Sequence, residues 1–447
     1  MEFEDIGLCV PKILLPNKSV DLTKWSVIAC DQYNTQKEYW EKVKGFVGGS
    51  PSTLHLIFPE AYLDSGEYGA IVDSINRNMR EYVDEGVLDE GRECFILVER
   101  TLPSGKKRRG LIVALDLEKY DYDKDSKTLI RTTEGVYLSK LDTRIKIREK
   151  ATIELPHILV LIDDNKKEII EPLFKKKLEK LFDFKLMMNG GHIRGYAVGD
   201  EHLIMDVVGK LRRMADPDEF KRKYGVGGSE NIILYLMGDG NHSFAAARKR
   251  WDRIKKGAED QQAVMNHPAR YAMVELINIH DEGLSIEAIH RLAFNVDFND
   301  MVDDMRVFYE GQGSGFSVER FDSEEEMFER LEILGKDGLH NIPFVHSDGY
   351  GIFSVGNPKH NFETETLEAF LVGYTDSRSG SAMEFVHGED VLRSMGSREG
   401  NVGFYMPRYS KKSLFKSVLL HGAFPRKSVS MGHADEKKYY LECRKIV

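Results

Sequence analysis

Residues 231–251 read as one supersecondary unit, and that unit sets the class of fold open to the chain. An apolar run rich in β-formers, Ile232-Ile-Leu-Tyr-Leu-Met237, stops at Gly238-Asp-Gly-Asn-His-Ser243, and Phe244-Ala-Ala-Ala-Arg-Lys-Arg-Trp251 follows with strong helix formers. A strand that turns through two glycines into a helix leaves backbone N–H groups free at the helix N-terminus, a natural anion site. The loop also carries an acid, an amide, an imidazole and a hydroxyl, which favours phosphoryl chemistry over simple binding. The plainer alternative is an ordinary strand–helix turn in which Asp, Asn and Ser serve as helix caps. No Gly-x-x-x-x-Gly-Lys-[Ser/Thr] loop and no Rossmann fingerprint is present.

At 447 residues the chain is too long for one compact core. Patterns of period two and period 3.6 alternate along it, so the expected class is α/β, or α+β with mixed sheets. Three domains are expected: an N-terminal α/β domain over 1–165, a domain carrying the strand–loop–helix motif over 166–297, and a C-terminal α/β domain over 298–447. The last boundary is set where the sequence turns acidic and polar near 297–302. The net charge of −10 argues against nucleic acid as a partner. The acidic start is unlike a signal peptide, no apolar run approaches a membrane span, and the four cysteines form no close pair. A cytoplasmic protein with no membrane partner is expected, and homo-oligomerisation stays open.

Several elements are legible locally. Ile71, Val72, Ile75, Met79, Tyr82 and Val83 share one helical face that stops at Gly86. Cys94–Val98 and Leu111–Leu115 read as a hairpin around Pro103-Ser-Gly105, and Ile158–Ile162 as a short strand ending in Asp163-Asp164. Lys166–Phe182 reads as a charged surface helix. Further on come a strand at Ala272–Ile279, a helix at Glu324–Leu334, a hairpin about Ser347-Asp-Gly349 and a strand at Val402–Met406.

Three further groups carry chemistry-bearing side chains. Arg131, Glu134, Arg144, Arg148, Glu154 and His157 place arginines where they could converge on an anion beside a carboxylate. The same spacing also suits a salt-bridged helix face. His267, Arg270, Glu275, His280, His290 and Arg291 form a second group whose histidines lack the spacing of a zinc helix. The tail offers Arg426-Lys427 and Lys437-Lys438. Asp31 and Gln32 follow a short strand-like run and could line a pocket.

Taken in order, Trp25–Tyr33, Arg131–Asp164, Leu236–Ala247, His267–Arg291, His387–Glu389 and Pro425–Lys445 resemble the bacterial and archaeal domain-of-unknown-function family 1015. The loop Asp239-Gly-Asn-His-Ser243 resembles the Asp-Gly-His-His-Arg motif of that family, which also occurs in free-serine kinases of the ParB/sulfiredoxin superfamily. The resemblance implies a ParB/sulfiredoxin-like nucleotide-binding core with additional α/β domains. It implies a phosphotransferase linked to serine metabolism, moving a phosphoryl group from ATP or ADP, with Mg2+, to the hydroxyl of free L-serine. Two positions depart from the motif: Asn241 replaces its first histidine, and Ser243 its arginine.

The expected catalytic residues are Glu134 as base, Asp239 (also the magnesium ligand) and His242. Gly238, Gly240, Asn241, Ser243, Arg131, Arg144, Arg148 and Arg248 are expected to hold the nucleotide phosphates. Arg270, Glu275, His290 and Arg291 are expected to meet the acceptor. The alternatives are a ParB-type nucleotide-binding regulator without a small acceptor, and a metal-dependent hydrolase using His242, His267, His280 and His290.

Overall fold

The computed structural model describes all residues except 64–67, 137–140, 227–230 and 336–337. The chain forms two compact units. The first comprises 1–285, 415–423 and 431–447, and the second comprises 286–414 and 424–430. The second unit is thus an insertion in the sequence of the first.

The first unit is built on a mixed sheet. Its strands are β1 (Phe95–Thr101), β2 (Lys107–Asp116), β3 (Tyr120–Asp121), β4 (Ile130–Arg131), β5 (Leu159–Ile162), β6 (Glu179–Lys185), β7 (His192–Val198), β8 (Tyr235–Asp239) and β9 (Tyr271–Asn278). They lie in the order β6-β7-β1-β2-β9-β5-β8-β4-β3. β5 runs parallel to β9 and antiparallel to β8, and β8 runs parallel to β4. The class is therefore mixed α/β. The expected boundary at 165/166 runs through this sheet, because β5 lies between β9 and β8 while β1 and β2 join β7 to β9.

Side chains alternate across the sheet and feed two cores. Phe95, Leu97, Leu111, Val113 and Val160 enter one, while Ile96, Val98, Ile112 and Met273 enter the other. With both faces covered, the central strands read as near-continuous apolar runs, which is why they were legible. The helices of this unit include α1 (Tyr68–Asp84), α2 (Leu141–Glu149), α3 (Glu201–Met214), α4 (Pro217–Tyr224) and α5 (Asn241–Gly257). In α1, Val72, Ile75 and Met79 are buried, as their spacing requires.

The stretch 166–182 is not a helix. It holds a short 3-10 turn at Glu171–Lys175 and then the start of β6. Pro172 removes a donor, and from Phe182 onward the burial alternates, with Phe182 inward and Asp183 and Lys185 outward. The turn into β7 places Met188, Asn189 and Gly191 at positive φ.

The second unit contains β10 (Ile286–Phe294), β11 (Gly315–Phe321), β12 (Leu339–His346), β13 (Gly349–Gly356), β14 (Ala382–His387) and β15 (Val402–Phe404), ordered β11-β13-β12-β15-β10-β14. The acidic stretch near 297–302 starts a helix, Phe298–Gly311, and Asp297 caps it by accepting from the Asp300 N–H. The contact boundary falls earlier, between Ser285 and Ile286. No helix among the described residues is long and apolar enough to cross a membrane.

His290 lies in this second unit. Its Nδ1 accepts from the Met406 backbone N–H at 3.1 Å. Burial, with Arg291 beside it, pushes its pKa down to about 4. The unfolded chain binds this proton at about pH 6.5, so between the two values the unfolded state holds more protons and stability falls with falling pH. Acidification through that window is expected to cost this unit about 3 kcal/mol from His290 alone. Denaturant unfolding from neutral pH to about 4 should show that slope, and His290→Asn should flatten it. An unchanged slope in the variant would contradict this account.

Candidate functional site

Only Gly240 separates β8 from α5; Gly238 and Asp239, expected in the turn, are the last residues of the strand. Gly240 adopts φ +79°, which an L side chain rarely takes, and a Cβ there would sit 3.0 Å from Ile158 Cγ1. The chain then enters α5 at Asn241. Asn241, His242 and Ser243 thus occupy the first turn, whose N–H groups lack intrahelical acceptors. The Asp239 carboxylate accepts from the Gly240 N–H at 2.9 Å and pairs with Lys437 Nζ at 3.1 Å.

At this helix start Ser243 lines a cleft of about 130 Å³. Ser243, Arg144, His157, Glu60, Cys30 and Tyr440 form its polar end. Arg144, on α2, is the hub: its guanidinium donates to Ser243 Oγ and to Glu60, and stands 3.7 Å from Asp31 Oδ2. His157, just before β5, places Nε2 at 3.2 Å from Ser243 Oγ and 3.8 Å from Asp31 Oδ2, with Nδ1 at 3.0 Å from the Tyr440 hydroxyl. Asp31, Glu60, Ser243 and Tyr440, four places remote in sequence, thus meet around one imidazole and one guanidinium.

The electrostatics follow from burial and pairing. Burial works against the Asp31 carboxylate, but His157 whenever it carries a proton, and Arg144 throughout, outweigh it and hold its pKa below the usual carboxylate range. Burial also pushes the His157 imidazole below its ordinary value, against the pull of Asp31, so the ring is neutral at neutral pH. Burial pushes the Cys30 thiol up to about 12, so it is not a thiolate. Tyr440 is raised as well and keeps its proton.

The structure separates the expected site residues into three sets. Gly238, Asp239, Gly240, Asn241, His242 and Ser243 lie together where β8 passes into α5, and of these Ser243 lines the cleft, with Arg144 opposite it. Glu134 is tied to the loop by its backbone, since the Thr132 hydroxyl bridges Glu134 O and Asn241 Oδ1 at 2.6 and 3.0 Å. Arg148 lines the cleft one turn beyond Arg144 but is paired with Glu154.

Other residues hold the fold. Arg131 donates to Thr128 O and Asn231 Oδ1 at 2.9 and 2.8 Å. Arg248 donates to the Leu117 carbonyl and pairs with Asp252 at 3.0 Å. Arg270 pairs with buried Asp116 at 2.6 Å, and Glu275 with buried Lys438 at 3.1 Å. His290 and Arg291 belong to the second unit, where Arg291 pairs with Glu368 at 2.7 Å and donates to the carbonyls of Ile289 and Lys427.

The hydrolase alternative rests on His242, His267, His280 and His290. His280 binds Asp163 beyond the far end of β5, and His290 lies in the other unit. Among the described residues no group of three or more His, Cys, Asp or Glu side chains could hold a metal ion. The sequence offers Asp31 as a residue that could line a pocket, whereas Cys30, Glu60 and Tyr440 were not expected in the site, and nothing local marked them.

No curated protein matches the chain. Three solved structures are similar at a low level. A conserved hypothetical protein from Pyrococcus furiosus has a TM-score of 0.36 and 14% identity, over 74% of this chain and 94% of that one. A free serine kinase in complex with AMP has a TM-score of 0.39 and 14% identity, over 75% and 92%. SbnI with a C-terminal truncation, from Staphylococcus aureus, has a TM-score of 0.35 and 10% identity, over 72% and 82%. Such values carry no residue's role across. The family model of DUF1015, a protein of unknown function, matches residues 14–370, and the chain belongs to that family.

Proposed function

We propose that the cleft binds a nucleotide and transfers a phosphoryl group to a small hydroxyl compound, with free L-serine as the first acceptor to test. One observation carries this reading. Ser243, in the first turn of α5 after a left-handed glycine, lines the same cleft as an arginine that joins it to two carboxylates. Phosphoryl transfer needs positioning and charge neutralisation more than covalent chemistry from the protein. The backbone of Gly240–Ser243 and Arg144 would hold phosphate oxygens. Mg2+ is commonly held by one or two carboxylates together with phosphates, and Asp239 is the carboxylate at this loop that suits it. Bound there, the ion would neutralise charge on the phosphates.

The base is better sought at Asp31 than at Glu134. Asp31 is kept ionised and stands within 4 Å of both Arg144 and His157. Asp31→Asn is expected to lower turnover by at least about a hundredfold. Glu134→Gln should lower it far less. The assay is phosphoserine formation from ATP or ADP with Mg2+, followed across a panel of amino acids and small alcohols. Equal loss in both variants would refute the assignment, and absence of any phosphorylated acceptor would refute the reading itself.

A further inference from the structure

The hydrogen-bond pattern around Ser243 has a direction. Its Oγ has two polar neighbours, the Arg144 guanidinium and His157 Nε2. A guanidinium only donates, and Tyr440 gives its own proton to Cys30 Sγ, so the Tyr440 oxygen takes the imidazole proton from Nδ1 and leaves Nε2 of the neutral ring bare to accept from the serine hydroxyl. The imidazole proton is then on Nδ1 and is given to the Tyr440 oxygen at 3.0 Å. Tyr440 passes its own proton on to Cys30 Sγ at 3.1 Å and accepts the Cys30 backbone N–H at 3.3 Å. A hydroxyl at a helix start, a neutral imidazole on its proton, a third group fixing the tautomer and a cation beside the oxygen together make an activated nucleophile.

We propose that Ser243 is a catalytic nucleophile that carries the phosphoryl group between donor and acceptor, an inference that rests on the nucleotide reading of the cleft. In the first step Ser243 Oγ attacks the terminal phosphorus of a nucleoside triphosphate. The Oγ–P bond forms, the bond to the nucleoside diphosphate oxygen breaks, and the serine proton moves to His157 Nε2. In the second step the acceptor hydroxyl attacks phosphorus and gives its proton to Asp31. The Oγ–P bond breaks, and Ser243 recovers a proton from His157. Arg144 stabilises the oxygen in both steps. Tyr440 is a positioning residue, since it acts on the reaction only through the tautomer of His157.

The test uses the full chain with MgATP and no acceptor, quenched in acid within one turnover, with ADP binding followed separately by calorimetry. Intact mass and peptide mapping should show one phosphoryl group on Ser243, and labelled ADP should exchange into ATP. Ser243→Ala should abolish both signals. Tyr440→Phe should slow phosphorylation at least about tenfold while leaving ADP affinity unchanged, because only the tautomer is disturbed. If the protein binds ADP yet neither labels Ser243 nor catalyses exchange, the nucleophile inference is overturned. If it binds no ADP, the nucleotide reading fails first.

Discussion

Lys438→Met is expected to produce the largest loss of stability of any single change in the first unit, about 3–5 kcal/mol. Lys438 is 2% exposed and lies 3.1 Å from both Glu275 and Glu442, themselves 4% and 0% exposed. Methionine fills a similar volume, so the cost comes from charge and not from a cavity. Two carboxylates would be left in the core without their shared cation. The Glu275 carboxylate, which burial penalises, is kept ionised by Lys438 first and then by Arg108. Urea unfolding should show the loss, and the triple variant with Glu275→Gln and Glu442→Gln should recover most of it. If the single variant unfolds at the wild-type midpoint, the triad has no structural role.

Arg144→Ala is expected to have the largest effect on ligand binding. It removes the one guanidinium shared by Ser243, Glu60 and Asp31, and leaves two half-buried acids facing the proposed phosphate site. A charged hydrogen bond contributes about 1.5–3 kcal/mol, so ADP affinity should fall by about tenfold to a hundredfold, with turnover falling further. Lysine should not rescue it, because a single ammonium cannot serve three partners with the planar fork of arginine. Calorimetric titration with ADP decides: wild-type affinity in Arg144→Ala would remove Arg144 from the site.

Much of the framework could be read locally, for definite reasons. β1, β2, β5, β8 and β9 are buried on both faces, so their sequences are apolar runs closed by turn residues. α1 and α5 carry one apolar stripe each. β6 was misread because its lysines and glutamate lie outside and only Phe182 turns fully inward. The loop 238–243 was legible because glycine geometry is local. The cleft was not, because Asp31, Arg144, His157, Ser243 and Tyr440 are brought together only by the sheet order. Arg270 and Glu275 show the converse. Charged residues in a promising cluster were satisfied by Asp116 and Lys438, partners that spacing could not reveal.

The insertion of the second unit sets the order in which the protein can mature. Residues 1–285 are synthesised first, yet His157 meets Tyr440 and Asp239 meets Lys437. Arg100 and Arg108 also wait for the carbonyl of Glu436. A chain emerging from the ribosome therefore exposes an unfinished cleft, with Asp239 and Glu275 lacking their lysines, throughout translation of the second unit. Contacts of such long sequence separation close slowly. The first unit becomes competent only once residues 431–447 have been made, and until then it is the part most in need of protection from aggregation.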